Sequence, residues 1–191
     1  VTSARKEEDK PEILSGVFEG ITLGTPIAVI VRNTDARSGD YRPDAYRTGH
    51  ADKVWETKFG VRDHRGGGRA SGRETVARVI GGAIAERILP ESVRITALSR
   101  QIGHIAPHTI PASLSRSEVD SYPTRCPEPD ADAAITEELL RLKEQGDSVG
   151  GIVELRIDGV PPGWGEPVFH KAKTDLTDGI KSIGGVSGWN R

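Results

Sequence analysis

Cys126 is the sole cysteine in 191 residues. That excludes an intrachain disulfide and any cysteine-based zinc site, no other metal site is expected, and it suits a reducing compartment. Methionine is absent and Val1 stands first, so the expectation is one domain or an incomplete piece of something larger. Long hydrophobic runs are missing too. The longest, Ile27-Ala28-Val29-Ile30-Val31, falls far short of the roughly 20 residues that cross a bilayer, and no charged-then-apolar leader precedes a cleavage site. No membrane partner is expected, and the chain is read as cytoplasmic. Nor is there an excess of either charge. A formal net charge of −2 excludes a globally basic nucleic-acid binder, so no nucleic-acid partner is expected and any polyanion site must be local.

What remains is the composition of a folded protein. Hydrophobic residues make up 35 %, with 23 Gly and 12 Pro, below the level of low-complexity chains. Residues 1–11 are charged and aperiodic, which reads as a flexible arm before a single domain. Ile13 to Phe18 and Thr25 to Arg32 read as strands joined through a Gly- and Pro-punctuated turn, an antiparallel pair being the simplest connection. Asn33 to Arg69 has few apolar residues and is too long for a plain connection, and long ordered loops usually carry function.

Beyond it, Val76, Val79, Ile80, Ala83, Ile84 and Ile88 recur at helical spacing, with Ser71 and Glu74 as a capping box and Pro90 as the stop. Gly81-Gly82 lowers helix propensity, which predicts a closely packed neighbouring backbone. A strand is expected at Val93 to Leu98 and a Pro- and Ser-rich excursion at His108 to Pro129. A second helix is expected from Ala131 to Gln145, with Ala134, Ile135, Leu139 and Leu142 on one face and Gly146 ending it. Ile152 to Ile157 reads as another strand, and Gly159 to Gly165 as a rigid turn anchored by Trp164. The tail from Thr174 reads as a short helix running into a strand.

The chemistry concentrates between Gly49 and Glu74, GHADKVWETKFGVRDHRGGGRASGRE, a basic stretch in a slightly acidic chain. Gly66-Gly67-Gly68 can turn backbone N–H groups inward as an anion nest, and the following helix start adds unpaired N–H groups and its positive dipole end. Arginines add planar, bidentate recognition of phosphate or carboxylate. The alternative is a glycine linker with the arginines paired to Asp63, Glu56 and Glu74. His50 lies two residues before Asp52, a spacing at which a carboxylate can orient the ring for proton transfer near neutral pH. The plainer alternative is an ordinary hydrogen-bonded histidine. Cys126 reads as structural.

These residues resemble chorismate synthase. The likeness is carried by ILSGVFEGITLGTPIAVIVRN from Ile13, RTGHAD from Arg47, KFGVRDHRGGGRASGRETVARVIGGAIA from Lys58 and GDSVGGIVELRIDGVPPGWGEPVF from Gly146. The resemblance implies an α+β fold, part of a β-α-β sandwich with antiparallel sheets around central helices. It implies an enzyme that converts 5-enolpyruvylshikimate 3-phosphate to chorismate by 1,4-elimination of phosphate, using reduced FMN that is not consumed overall. A homotetramer is the family's usual assembly, and a separate flavin reductase, with NADP, is a further candidate partner.

Carried residue by residue, His50 matches the histidine held to donate a proton to reduced flavin. Arg69, Ala70 and Ser71 match the flavin-contacting stretch, while Arg65 and Arg73 fall in the anion-binding block assigned to substrate. Thr48 stands where the family commonly has Pro, and Ala70 where it commonly has Ser. The family's Gly-Glu-Ser-His-Gly motif is expected before Val1, and its Lys-Pro-Thr-Ser-Ser and Arg-Asp motifs after Arg191. The alternative function is therefore a catalytically incomplete fragment that only oligomerises or binds phosphate.

Overall fold

The computed structural model describes residues 8–34, 37–65 and 72–190. Its mixture of helices and small antiparallel sheets is α+β. Two compact units divide the chain: one takes in Leu89–Trp164, the other joins Ala4–Ile88 to Gly165–Arg191.

The first unit is built on β5 (Arg94–Ile102) and β6 (Gly151–Asp158), paired antiparallel from Arg94 opposite Asp158 to Ile102 opposite Gly151, with a bulge between Ser99 and Gln101. Thr96 and Leu98 are buried while Ile95 and Ala97 are exposed. The buried face of the strand is thus the one that carries Thr96 and Leu98. The covering elements are α3 (Arg116–Asp120) and α4 (Pro129–Gln145). In α3 the Ser115 hydroxyl accepts from the Glu118 N–H, and the Glu118 carboxylate accepts from the Ser115 N–H, a reciprocal cap within the stretch expected to be irregular.

In α4, Pro129 enters the first turn, where a missing N–H costs nothing. Gly146 closes the helix in the left-handed conformation, as its position in the sequence predicts. The helix buries Ala131, Asp132, Ile135 and Leu142, whereas Ala134 faces solvent. Cys126, Ala131 and Ile135 form the centre of the core, with Ile102, Ile105 and Leu139 packed against it. Asp132 is tolerated there because it accepts from the Thr124 N–H at 2.9 Å. Burial pushes the Cys126 thiol up from its ordinary value, in keeping with a structural cysteine. Trp164, expected to anchor the turn after β6, is 47 % exposed.

The second unit begins with β1 (Pro11–Ile13) paired antiparallel to β4 (Val29–Val31). The expected long strands are shorter because Ser15 interrupts the ladder. Its hydroxyl donates to the Pro26 carbonyl and accepts from the Ala28 N–H. Between them β2 (Val17–Phe18) and β3 (Ile21–Thr22) make a separate hairpin. Glu19 and Gly20 both have positive φ, the turn that matches strand twist.

The long segment after β4 contains a 3₁₀ turn, Ser38–Asp40, and a helix that the sequence reading omitted, α1 (Asp52–Phe59). Next comes α2 (Glu74–Ala85), where the periodicity predicts it. It ends before Pro90 because Arg87 and Ile88 donate three residues back and tighten the chain. Its start is Arg73, with no side-chain cap, and the expected capping residue Ser71 lies outside the described residues. Gly81 and Gly82 face open space, so the close backbone contact expected there is absent among the described residues. Last is α5 (Ala172–Lys181), and no strand follows it among the described residues.

Candidate functional site

Arg47 to Asp52 fold into a tight turn at the start of α1. The His50 N–H donates to the Arg47 carbonyl at 3.3 Å, and Gly49 takes φ 77°. Ala51 caps the helix at φ 54°, ψ 19°, a left-handed conformation in which its Cβ crowds the backbone. The next residue, Asp52, is 4 % exposed, the one buried residue with a side chain among those described in its unit.

Four contacts from two arginines hold that carboxylate. The Arg47 guanidinium grips it with two donors, at 3.1 and 2.9 Å, and the Arg47 backbone N–H adds a third at 2.9 Å. Arg62 approaches at 3.5 Å while also donating to the carbonyls of Pro43 at 2.6 Å and Ala45 at 3.0 Å. Each guanidinium lies against an aromatic ring, Arg47 on Tyr41 at 5.2 Å and Arg62 on Tyr46 at 5.0 Å. The Tyr46 hydroxyl in turn donates to the Glu56 carboxylate. Hydrogen bonds from Arg47 hold the Asp52 carboxyl far below the usual carboxylate range, against the opposing effect of burial.

His50 is half-buried, and its Nδ1 lies 3.0 Å from the Thr48 carbonyl. A carbonyl only accepts, so Nδ1 carries the proton in this arrangement and Nε2 is left as the nitrogen that can exchange one. The ring is therefore oriented by Thr48, not by Asp52 as the sequence spacing suggests, because the two arginines already occupy that carboxylate.

Arg65 is exposed, and its side chain and N–H both donate to Asp63, at 3.0 and 3.1 Å. The Asp63 carboxyl is lowered by that guanidinium. At Arg73 the guanidinium lies 3.5 Å from Asp9 and 3.5 Å from the Arg32 carbonyl, linking the start of α2 to the chain around β1 and β4. Arg69, Ala70 and Ser71, and the three glycines before them, lie outside the described residues. The two-arginine clamp is the part that sequence reasoning missed. Arg47 and Asp52 are both visible in RTGHAD, but Arg62 stands ten residues further on, and nothing local signals that one carboxylate serves both.

Guanidinium forks concentrated on one segment, with a histidine whose free nitrogen can exchange a proton, suit a phosphorylated or carboxylated ligand that undergoes proton-coupled chemistry. Comparison with known proteins identifies the family. A family model described as chorismate synthase matches residues 1–190. Chorismate synthase of Opitutus terrae is 46 % identical over 99 % of this chain and 53 % of its own length. That of Roseiflexus castenholzii is 47 % identical over 98 % and 52 %. A crystal structure of chorismate synthase superposes with a TM-score of 0.76 at 31 % identity, over 93 % of this chain and 53 % of that one. The chain belongs to the chorismate synthase family. It spans about half the length of the curated relatives it matches.

Proposed function

We propose that this chain works in the 1,4-elimination of phosphate from 5-enolpyruvylshikimate 3-phosphate to give chorismate, with reduced FMN as cofactor. The observation that carries the reading is the His50 turn, whose ring has one nitrogen committed to Thr48 and the other available, in a chain of this family. Bound beside the substrate, reduced FMN would supply the electron density that assists loss of phosphate. His50 holds a proton at the site and passes it through Nε2. Arg65 and Arg73 bind the anionic groups of the substrate, Arg65 exchanging its exposed pairing with Asp63 for a phosphate or carboxylate oxygen. Such an exposed pair contributes little to stability and is readily given up. Arg69, Ala70 and Ser71 contact the flavin. Assembly as a homotetramer, supply of reduced FMN by a separate reductase, and work in the cytoplasm complete the proposal.

The test is a pair of alanine variants in the protein at its natural length, assayed anaerobically with reduced FMN. His50→Ala is expected to lower kcat by about 10² to 10⁴-fold with little change in KM, while His64→Ala stays near wild type. Added imidazole should restore part of the lost rate. Equal behaviour of the two variants, or a change confined to KM, overturns the proton role.

A further inference from the structure

Asp52 is buried and charged, and the contacts of its carboxylate are with Arg47 and Arg62, not with the His50 ring. A carboxylate withdrawn from water is costly unless paired, and breaking a single partner leaves an uncompensated charge. Here it has two guanidinium partners and one backbone donor, and those three donors arrive from both sides of His50 in sequence. The Arg47 N–H and guanidinium stand before the turn, and Arg62 after α1. Asp52 itself is the first residue of the helix that the turn enters.

The consequence is mechanical. A turn with positive φ at Gly49 and at a residue bearing a Cβ, Ala51, persists only where its surroundings over-determine it. The described contacts that close this turn across its ends are those to Asp52 and the single His50-to-Arg47 backbone bond. We infer that Asp52 is a positioning residue: the two-arginine clamp on its carboxylate fixes the turn, and the turn aims the His50 ring. Asp52 takes no proton and touches no ligand in this scheme. The inference rests on the proton role of His50 only for its kinetic consequence, and its structural part stands apart from that role.

Asp52→Asn keeps the shape of the side chain but loses the charge and one acceptor, and is the variant of choice in the protein at its natural length. Two readouts are needed. Nitrogen chemical shifts of the His50 imidazole report which ring nitrogen carries the proton. The wild type is expected to show the Nδ1–H form in its neutral state, and Asp52→Asn a mixture of both. Turnover with 5-enolpyruvylshikimate 3-phosphate and reduced FMN is expected to fall in kcat by about 10- to 100-fold, the range for a displaced reacting group, with KM within a small factor. Adding Asp52→Asn to His50→Ala should then cost no more than His50→Ala alone, since a residue that acts through His50 has nothing left to aim.

Multiplicative losses in that double variant, or an unchanged His50 tautomer, overturn the inference. If Asp52→Asn does not fold, Asp52→Glu carries the same test. It retains the charge, displaces it by one methylene, and is expected to shift the tautomer balance and lower kcat less than His50→Ala does. Wild-type-like values for both quantities overturn the inference. Should His50→Ala leave turnover unchanged, the proton role fails while the tautomer comparison still decides whether Asp52 positions the ring.

Discussion

At the scale of single residues, the charge on Asp52 makes the His50 turn sensitive to acid. Its carboxyl is depressed in the folded chain, first by the Arg47 hydrogen bonds. Unfolded, it returns to an ordinary value near 4. The stabilisation it confers is thus fully present above about pH 4 and is lost as pH falls further towards the folded value. Protection of the Arg47 amide against hydrogen exchange, corrected for intrinsic rate, is expected to be flat from pH 7 to about 5 and to decline below about 4. In Asp52→Asn the protection should be lower by about 3 kcal/mol at neutral pH, the usual scale for breaking a buried pair, and free of that acid step. His50 stands out as a candidate from its neighbours in RTGHAD. Its true partner does not, because a side chain so near a carboxylate in sequence invites pairing, and only the fold reveals that Arg47 and Arg62 have taken it.

At the scale of elements, the junction after β6 depends on Gly159. Its φ is 70°, and an added Cβ would stand 1.8 Å from the Ser92 carbonyl oxygen, far inside contact. The Ser92 hydroxyl also donates to the Gly159 carbonyl at 3.0 Å, which ties the entry to β5 to the exit from β6 at one end of the pair. Gly159→Ala is expected to destabilise the Leu89–Trp164 unit by about 2 to 4 kcal/mol, from strain at positive φ plus displaced backbone. Urea unfolding checks it, and a loss below about 1 kcal/mol would show that the turn yields easily.

Helices were legible in proportion to the apolar stripe they carry. Both α2 and α4 announce themselves by period, and Gly146 by its type. By contrast, α1 is only eight residues long, with Val54, Trp55 and Phe59 as its apolar positions, too few to repeat over successive turns. Periodicity had nothing to register. The capping pair Ser115 and Glu118 that starts α3 lies inside a stretch whose Pro and Ser content reads as an irregular excursion. The strand expected at Val93 to Leu98 is present as β5, which extends further, to Ile102.

At the scale of the whole molecule, burial is uneven. The six buried apolar residues among those described all belong to Leu89–Trp164. In the other unit Phe18 and Ile21 are 64 % and 69 % exposed, and Val79 and Ile88 on the α2 segment 65 % and 80 %. Exposed apolar surface on that scale favours association and dye binding. The 191-residue chain on its own is expected to bind an anilinonaphthalene sulfonate probe and to show a mass that rises with concentration in light scattering. Val79→Lys with Ile88→Lys should reduce both. A monomer at all concentrations with no dye signal would contradict this reading. The α+β class and the family were legible from the sequence, whereas this inequality was not, since a regular apolar period says which face of a helix wants cover and nothing about whether it has any.

The clamp on Asp52 also sets what kind of solvent can undo it. Guanidinium ions in solution carry the same planar fork as Arg47 and Arg62 and offer the carboxylate a replacement partner, whereas urea brings no charge to it. The His50 turn and the apolar core around Ile135 therefore answer to different chemistries. The core gives way to anything that solvates hydrocarbon and peptide, and the turn gives way first to a mimic of its own arginines.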